Sequence, residues 1–354
     1  MTPVASNGLG VYVHIPFCES KCGYCDFYSI TDRSLADNYT RAVTRELDSY
    51  GLGGVETLYV GGGTPLVLGI NNLLKILDKI DVSGEVTIEV NPCSTIESDL
   101  KALFNAGVNR LSVGVQSFCD IELSHLSRRH SGIDAINTIN TAYDAGFRNI
   151  SADLILGLGT RDELDNSLTA IEMLPLTHIS AYILKTEINT PFYEKGVFIS
   201  EDKAADDYSY VCERLNKMSY PQYEISNFGL PSEHNLKYWH REEYLGIGCA
   251  AHSFCGAAHP GLGKEFYHTR DIDGYIANPS KVKFAPQDKF PAFTRFILST
   301  RLREWHEIPP GSEEFVKKLL QEELAEVKNA KFMLTPKGML VQSLILDKFR
   351  RFYI

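Results

Sequence analysis

The chain opens on an alternating run. Gly10 to Ile15 (Gly-Val-Tyr-Val-His-Ile) reads as a strand. Further strand runs are read at 55–60, 85–90, 109–115, 148–155 and 178–184. Helical stretches fall between them. Ser34 caps a helix that runs to about Tyr50, and Gly51 stops it. Leu73, Leu74, Leu77 and Ile80 set a helix over 71–80 by their spacing. Others are read over 97–106, 119–126, 131–145 and 162–174, with Gly107 and Gly146 as stops. Strand and helix thus alternate six times, which demands parallel strands joined by right-handed crossovers. Six units fall short of the eight of a closed TIM barrel. The pattern leaves an open, partial barrel or a doubly wound sheet.

After Lys185 the rhythm changes. Residues 202–218 read as an amphipathic helix, and the glycine-rich stretch 255–265 as a surface loop. From Pro286 the pattern turns mostly helical, over about 288–303 and 312–323. A short strand follows near 332–334, and Thr335-Pro336 starts a helix over 337–349. Three units are therefore expected: a core over 1–230, a connecting segment over 231–285 and a small appended domain over 286–354, winged-helix-like in shape.

With 354 residues and 44% hydrophobic content the chain can bury a sizeable core. A net charge of −10 argues against a surface made for nucleic acid. Met1 to Leu9 has neither the basic nor the apolar stretch of a secretory leader, and no run of about 18 apolar residues suggests a transmembrane helix. Eight cysteines without an export signal fit the reducing cytoplasm, which is the expected location.

The cysteines carry the chemistry. Cys18, Cys22 and Cys25 stand at C-x3-C-x2-C directly after the first strand. Thiolates suit iron–sulfur clusters or zinc. A structural zinc site usually takes four ligands, often as two C-x2-C pairs, and no second pair exists here. Three thiolates on a four-iron cube leave one iron open for a small molecule. In parallel α/β folds chemistry collects at the carboxyl ends of strands. Those ends carry Gly61-Gly62-Gly63-Thr64-Pro65, Glu89-Val90-Asn91-Pro92, Gln116-Ser117-Phe118, Asp153 to Gly157 and Tyr182 to Lys185.

The cysteine loop, with Tyr24 before its last cysteine, resembles the radical S-adenosylmethionine (radical SAM) superfamily. That resemblance implies a [4Fe-4S] cluster on Cys18, Cys22 and Cys25 and selects a partial (β/α)6 barrel, TIM-type, as the core. The run His14-Ile15-Pro16-Phe17-Cys18, the glycine loop, Gly114 to Phe118 and Asp153-Leu154-Ile155 are similar to the anaerobic coproporphyrinogen oxidase-like family. The resemblance implies that Tyr12, Tyr24, Gly62, Gly63, Thr64, Glu89, Gln116, Arg128 and Asp153 touch S-adenosylmethionine. It covers nearly the whole chain, including an oxidase-type C-terminal domain.

Within that family Tyr223 to Phe228, His234-Asn235-Leu236-Lys237-Tyr238-Trp239 and Tyr244 to Gly248 resemble a heme-chaperone branch. The alternative is an oxygen-independent coproporphyrinogen III oxidase, which decarboxylates propionates by radical chemistry. The similar oxidases carry a further cysteine two positions after the third; here Phe27 stands there. They also have a long N-terminal extension, against about ten residues here before the first strand. A chaperone implies heme as a bound group and a heme-acceptor protein as partner. An electron donor such as flavodoxin or ferredoxin is implied for the cluster, and a homodimer is left open. An imidazole can ligate heme iron, so His234 is the first candidate and His252 the second. His14 is read as a support for the cluster loop, and Cys249 and Cys255 as buried thiols. The chain departs from the branch at Gly157-Leu158-Gly159 and at Gly248-Cys249-Ala250-Ala251-His252-Ser253. A radical enzyme acting on tRNA would call for a basic accessory domain, which the charge balance does not offer.

Overall fold

A computed structural model describes residues 8–255 and 265–353. The glycine-rich stretch expected as a loop over 255–265 falls almost wholly outside the described residues, as do residues 1–7. Six strands follow one another across one sheet: β1 (Gly10–Ile15), β2 (Thr57–Gly62), β3 (Val86–Val90), β4 (Arg110–Gln116), β5 (Asn149–Leu156) and β6 (His178–Ile183). All six are parallel, and each pairs with the next in chain order. A doubly wound sheet reverses its strand order at a switch point. This order never reverses, so the core follows the barrel progression.

The connecting helices start and stop where local chemistry directs. Ser131 and Thr160 each form a capping box, with Asp134 and Glu163 as the reciprocal partners. The first long helix, Ala36–Tyr50, ends on Gly51 at φ 55. Its expected cap at Ser34 sits instead inside a short turn that Asp32 caps.

The sheet extends beyond the six units on both sides. The hairpin of β7 (Gln222–Glu224) and β8 (Asn227–Gly229) adds antiparallel to β6. At the other side β9 (Tyr244–Ile247) lies parallel to β1. Beyond it come β10 (His252–Phe254), β11 (Glu265–Tyr267) and β12 (Lys283–Phe284), all antiparallel. Residues 231–285, read as a connecting segment, thus supply helix Glu233–His240 and four strands of the sheet.

One face of each core strand is apolar and packs under the helices. Val11, Val13, Ile15, Leu58, Val60, Ile88, Leu111, Val113, Ile150 and Ala152 are all buried there. Burying a side chain of this size contributes about 1.5–3 kcal/mol. The opposite face is polar. It carries Tyr12, His14, Tyr59, Glu89, Arg110, Ser112, Asp153 and Ser180 around the interior.

The C-terminal part gathers helices Pro291–Ser299, Glu313–Gln321, Pro336–Leu340 and Gln342–Phe349 against a small antiparallel sheet. Its strands are β13 (His306–Glu307), β14 (Ala325–Lys328) and β15 (Lys331–Leu334). Phe296, Phe332 and Phe349 centre a separate core. The helix expected over 337–349 is interrupted at Val341, whose backbone (φ −109, ψ 22) leaves the helical region.

Candidate functional site

The six carboxyl ends open on one cavity of about 390 Å³. The loop after β1 forms one wall. Pro16 and Cys18 pair with Ile30, so the loop closes on itself like a bracket (Cys18 N to Ile30 O 2.9 Å, Ile30 N to Pro16 O 2.7 Å). His14 Nε2 reaches the Tyr28 carbonyl at 3.0 Å and supports the loop from beneath. Burial lowers the His14 pKa to about 4, which keeps the ring neutral at pH 7. The glycine loop after β2 docks alongside. Gly63 N donates to Ile15 O at 2.8 Å and Thr64 N to Phe17 O at 2.7 Å. Gly62 sits at φ 113, a conformation that glycine adopts without strain.

Cys18, Cys22 and Cys25 are half-buried and line this cavity. Burial raises the pKa of Cys18 and of Cys25. Arg128 Nη1 stands 3.6 Å from Cys22 Sγ, and Thr64 Oγ1 3.9 Å from Cys18 Sγ. Among the described residues no three metal-ligating side chains converge on a single ion position. Three thiolates of a four-iron cube bind three separate irons and so need not converge. The donor set fits such a cube: three thiols from one loop, a cation beside one of them, and a cavity alongside.

Opposite the cysteines stand carboxylates. Glu89 accepts from Gly62 N at 3.0 Å and from the Tyr59 hydroxyl at 2.9 Å. Burial, reinforced by Asp153, lifts its pKa to about 7. Asp153 accepts from Ser112 Oγ at 3.0 Å, and burial raises its pKa also. Gln116 ends β4 at φ 66, next to a register shift against β5. A non-glycine residue in that region is uncommon and costs on the order of 1–3 kcal/mol, and such positions cluster at functional sites. Arg128 Nη2 donates to Gly114 O at 2.8 Å and to Asn91 Oδ1 at 3.0 Å.

The cavity thus brings together Cys18, Cys22, Cys25, Tyr24, Gly62, Gly63, Thr64, Glu89, Gln116, Arg128 and Asp153. Asn91 and Tyr182, read at the strand ends, join them, and so do residues that were not singled out from the sequence: Tyr59, Arg110, Ser112 and Ser180. Arg110 is the largest of them. It is wholly buried, 3.8 Å from Glu85, and its Nε and Nη1 have no hydrogen-bond partner among the described residues. Tyr12 lies to one side of this group. It does not line this cavity; its hydroxyl bonds His14 Nδ1 at 2.9 Å, and its ring borders a second cavity of about 540 Å³.

The heme candidates separate sharply. His234 is completely buried. Thr57 Oγ1 holds its Nδ1 at 2.8 Å, and the Tyr238 hydroxyl holds its Nε2 at 2.8 Å. Burial, helped by Lys237, drives its pKa down to about 3. In this arrangement both ring nitrogens are engaged and no edge is exposed, so neither is presented to an iron. His252 is exposed and lines the second cavity. Burial of part of its ring, with Arg270 near, lowers its pKa as well. Cys249 and Cys255 are buried thiols, pushed up to about 11 and about 12 by burial.

Comparison with known proteins agrees with this arrangement. The family model of the radical SAM superfamily matches residues 12–171. The heme chaperone HemW of Lactococcus lactis is 36% identical over 278 residues, covering 73% of each chain. The chain belongs to the HemW family. HemW of Bacillus subtilis is 38% identical over 269 residues (69% of this chain, 70% of that one), and HemW of Escherichia coli 36% over 264 residues (69% of each). Among solved structures, the coproporphyrinogen III oxidase HemN of Escherichia coli, a radical SAM enzyme, superposes with a TM-score of 0.78. It is 21% identical, and the match covers 97% of this chain and 90% of that one. The fold of HemN is therefore shared across both parts of the molecule. Membership implies the [4Fe-4S] cluster and S-adenosylmethionine.

Proposed function

We propose that this chain is a heme carrier that binds heme and passes it to an acceptor protein, while holding a [4Fe-4S] cluster and S-adenosylmethionine in the first cavity. The observation that carries this reading is the kinship with curated heme chaperones over 73% of both lengths. Cys18, Cys22 and Cys25 hold the cluster. When bound and reduced, the cluster can supply an electron to S-adenosylmethionine. Arg128 offers its guanidinium to the cofactor's carboxylate. Glu89 on β3 and Asp153 on β5 accept from its ammonium or hydroxyl groups. Gly62, Gly63 and Thr64 let the backbone approach it, and Tyr24 and Gln116 complete the enclosure. A flavodoxin- or ferredoxin-type donor reduces the cluster in this reading, and the protein acts in the cytoplasm. No helix among the described residues is long and apolar enough to cross a membrane.

The second reading is an oxygen-independent coproporphyrinogen III oxidase, favoured by the fold shared with HemN. Against it stands Phe27, 62% exposed at the cavity mouth where the similar oxidases place a cysteine. One assay separates the two. Anaerobically reconstituted protein is given coproporphyrinogen III, S-adenosylmethionine and a reductant, with an authentic oxidase turned over in parallel. No protoporphyrinogen is expected, while added hemin gives a bound-heme absorbance band. Sustained decarboxylation would overturn the carrier reading.

A further inference from the structure

The second cavity has a composition that cluster chemistry does not call for. Its volume, about 540 Å³, lies within the ~300–1,000 Å³ of pockets that enclose a drug-sized molecule. Its walls are largely aromatic, with Phe27, Tyr28, Tyr238, Tyr244 and Tyr267 among them. The sheet itself delivers an imidazole to it. His252 on β10 stands in register with Tyr267 on β11, and the two rings stack with centroids 5.0 Å apart and planes 13° from parallel.

Arg270 also lines the cavity and is exposed. Among the described residues no carboxylate or hydrogen-bond acceptor holds its guanidinium. Arg241, by contrast, is committed to Glu265 and Asp288. An aromatic slot with one presented imidazole and one uncommitted guanidinium matches a flat ring system that carries carboxylates.

We propose that this cavity binds a porphyrin dicarboxylate, that Arg270 takes one of its propionates, and that His234 acts on the site only through Tyr238. The proposal rests on the heme-carrier reading and gives it a place. His252 is the imidazole that faces the iron. His234 is a positioning residue: pinned by Thr57, it holds the Tyr238 hydroxyl, and the Tyr238 ring then packs edge-on against Tyr244 (4.5 Å, 89°) as part of the cavity wall. Phe27 borders both cavities, so the porphyrin lies next to the cofactor.

The test uses the full chain with its cluster reconstituted and three probes: hemin, mesoporphyrin IX and mesoporphyrin IX dimethyl ester. Wild type is expected to bind the diacid on the order of five- to tenfold more tightly than the ester. Arg270→Gln is expected to abolish that preference by weakening the diacid alone; a preference that survives the substitution overturns the assignment. With hemin, His252→Ala is expected to shift the Soret band. His234→Ala is expected to weaken binding and leave the band in place, with Tyr238→Phe reproducing its effect should the alanine variant fold poorly. A Soret shift in the His234 variant, or none in the His252 variant, overturns the proposal. Failure of wild type to bind hemin while the diacid preference holds would sink the heme-carrier reading and leave a porphyrin site.

Discussion

Arg128 and Cys22 are far apart in the chain, yet the Arg128 guanidinium stands 3.6 Å from the Cys22 sulfur. The same side chain donates to Gly114 O and Asn91 Oδ1, so it ties the cysteine loop to the ends of β3 and β4. An arginine has five N–H donors. These three bonds leave two for a ligand carboxylate. Arg128→Lys replaces a planar fork with a point charge. The variant is expected to retain its cluster and to lose about tenfold or more in affinity for S-adenosylmethionine, read by anaerobic equilibrium dialysis. Unaltered affinity would remove Arg128 from the cofactor site.

Cys22→Ala is expected to abolish iron–sulfur absorbance after anaerobic reconstitution. The side chain is half-buried on a loop whose bracket depends on backbone bonds at Cys18 and Ile30 rather than on Cys22. Far-UV circular dichroism should therefore stay as in wild type. A full complement of iron in the variant would contradict the ligand assignment.

The barrel progression was legible because each unit carries a long periodic signal, and because the cysteine spacing and the glycine loop lie within short stretches. The flanking strands were not legible. Runs of three or four residues such as Gln222–Glu224 and His252–Phe254 are too short to show a period, and only pairing defines them. His234 shows the same limit. Its motif suggested a ligand, and the partner that holds its ring, Thr57, lies 177 positions away. Tyr12 shares a strand face with His14, yet which cavity that face borders depends on what packs beside β1. Arg110 and Ser112 could have been found. Arg-Leu-Ser-Val-Gly-Val-Gln puts a polar or small residue at every second position of β4, which marks a strand with one face on a polar interior.

Gly63 is where the two loops touch. A methyl group added there would lie 2.6 Å from Phe17 O and 2.9 Å from Ile15 O, both backbone atoms. Neither can move without disturbing the loop that holds Cys18. Gly63→Ala is expected to cost about 1–3 kcal/mol, the range of overpacked cores. Urea denaturation of the apo protein measures it, and reconstituted iron should fall in parallel. A variant as stable as wild type would show that the loops are not in this contact.

Arg301 joins the C-terminal part to the sheet. Its Nε donates to Glu224 Oε1 at 2.9 Å, and its guanidinium lies 4.3 Å over the Trp239 ring. Glu224 is fully buried, and Ser226 N and Asn227 Nδ2 donate to its other oxygen. Removing one partner of a buried ion pair costs about 3–5 kcal/mol, because the other charge is left without compensation. Arg301 is 29% exposed at its side chain, so water recovers part of that loss. Arg301→Ala is expected to lower stability by about 2–3 kcal/mol, and the Arg301→Ala/Glu224→Gln double variant by less. A double variant weaker than the single would refute the pairing.

Glu89 gives the site a pH signature. Its pKa is about 7 in the folded chain against an ordinary value of 4.5, through burial first and Asp153 second. A carboxyl whose folded pKa is raised takes up a proton more readily when folded. Its stabilising contribution is complete below about pH 4.5 and is lost as pH rises through about 7. One pKa unit corresponds to about 1.4 kcal/mol. Because the carboxyl faces a water-accessible cavity, roughly 2–3 kcal/mol is expected across that window. Glu89→Gln cannot titrate; its amide oxygen can accept from Gly62 N and its amide nitrogen can donate to the Tyr59 hydroxyl. Apo wild type should therefore lose stability relative to this variant between pH 4.5 and 7, read from urea midpoints. A difference that stays flat with pH would mean that Glu89 is ionised as easily inside the fold as outside it.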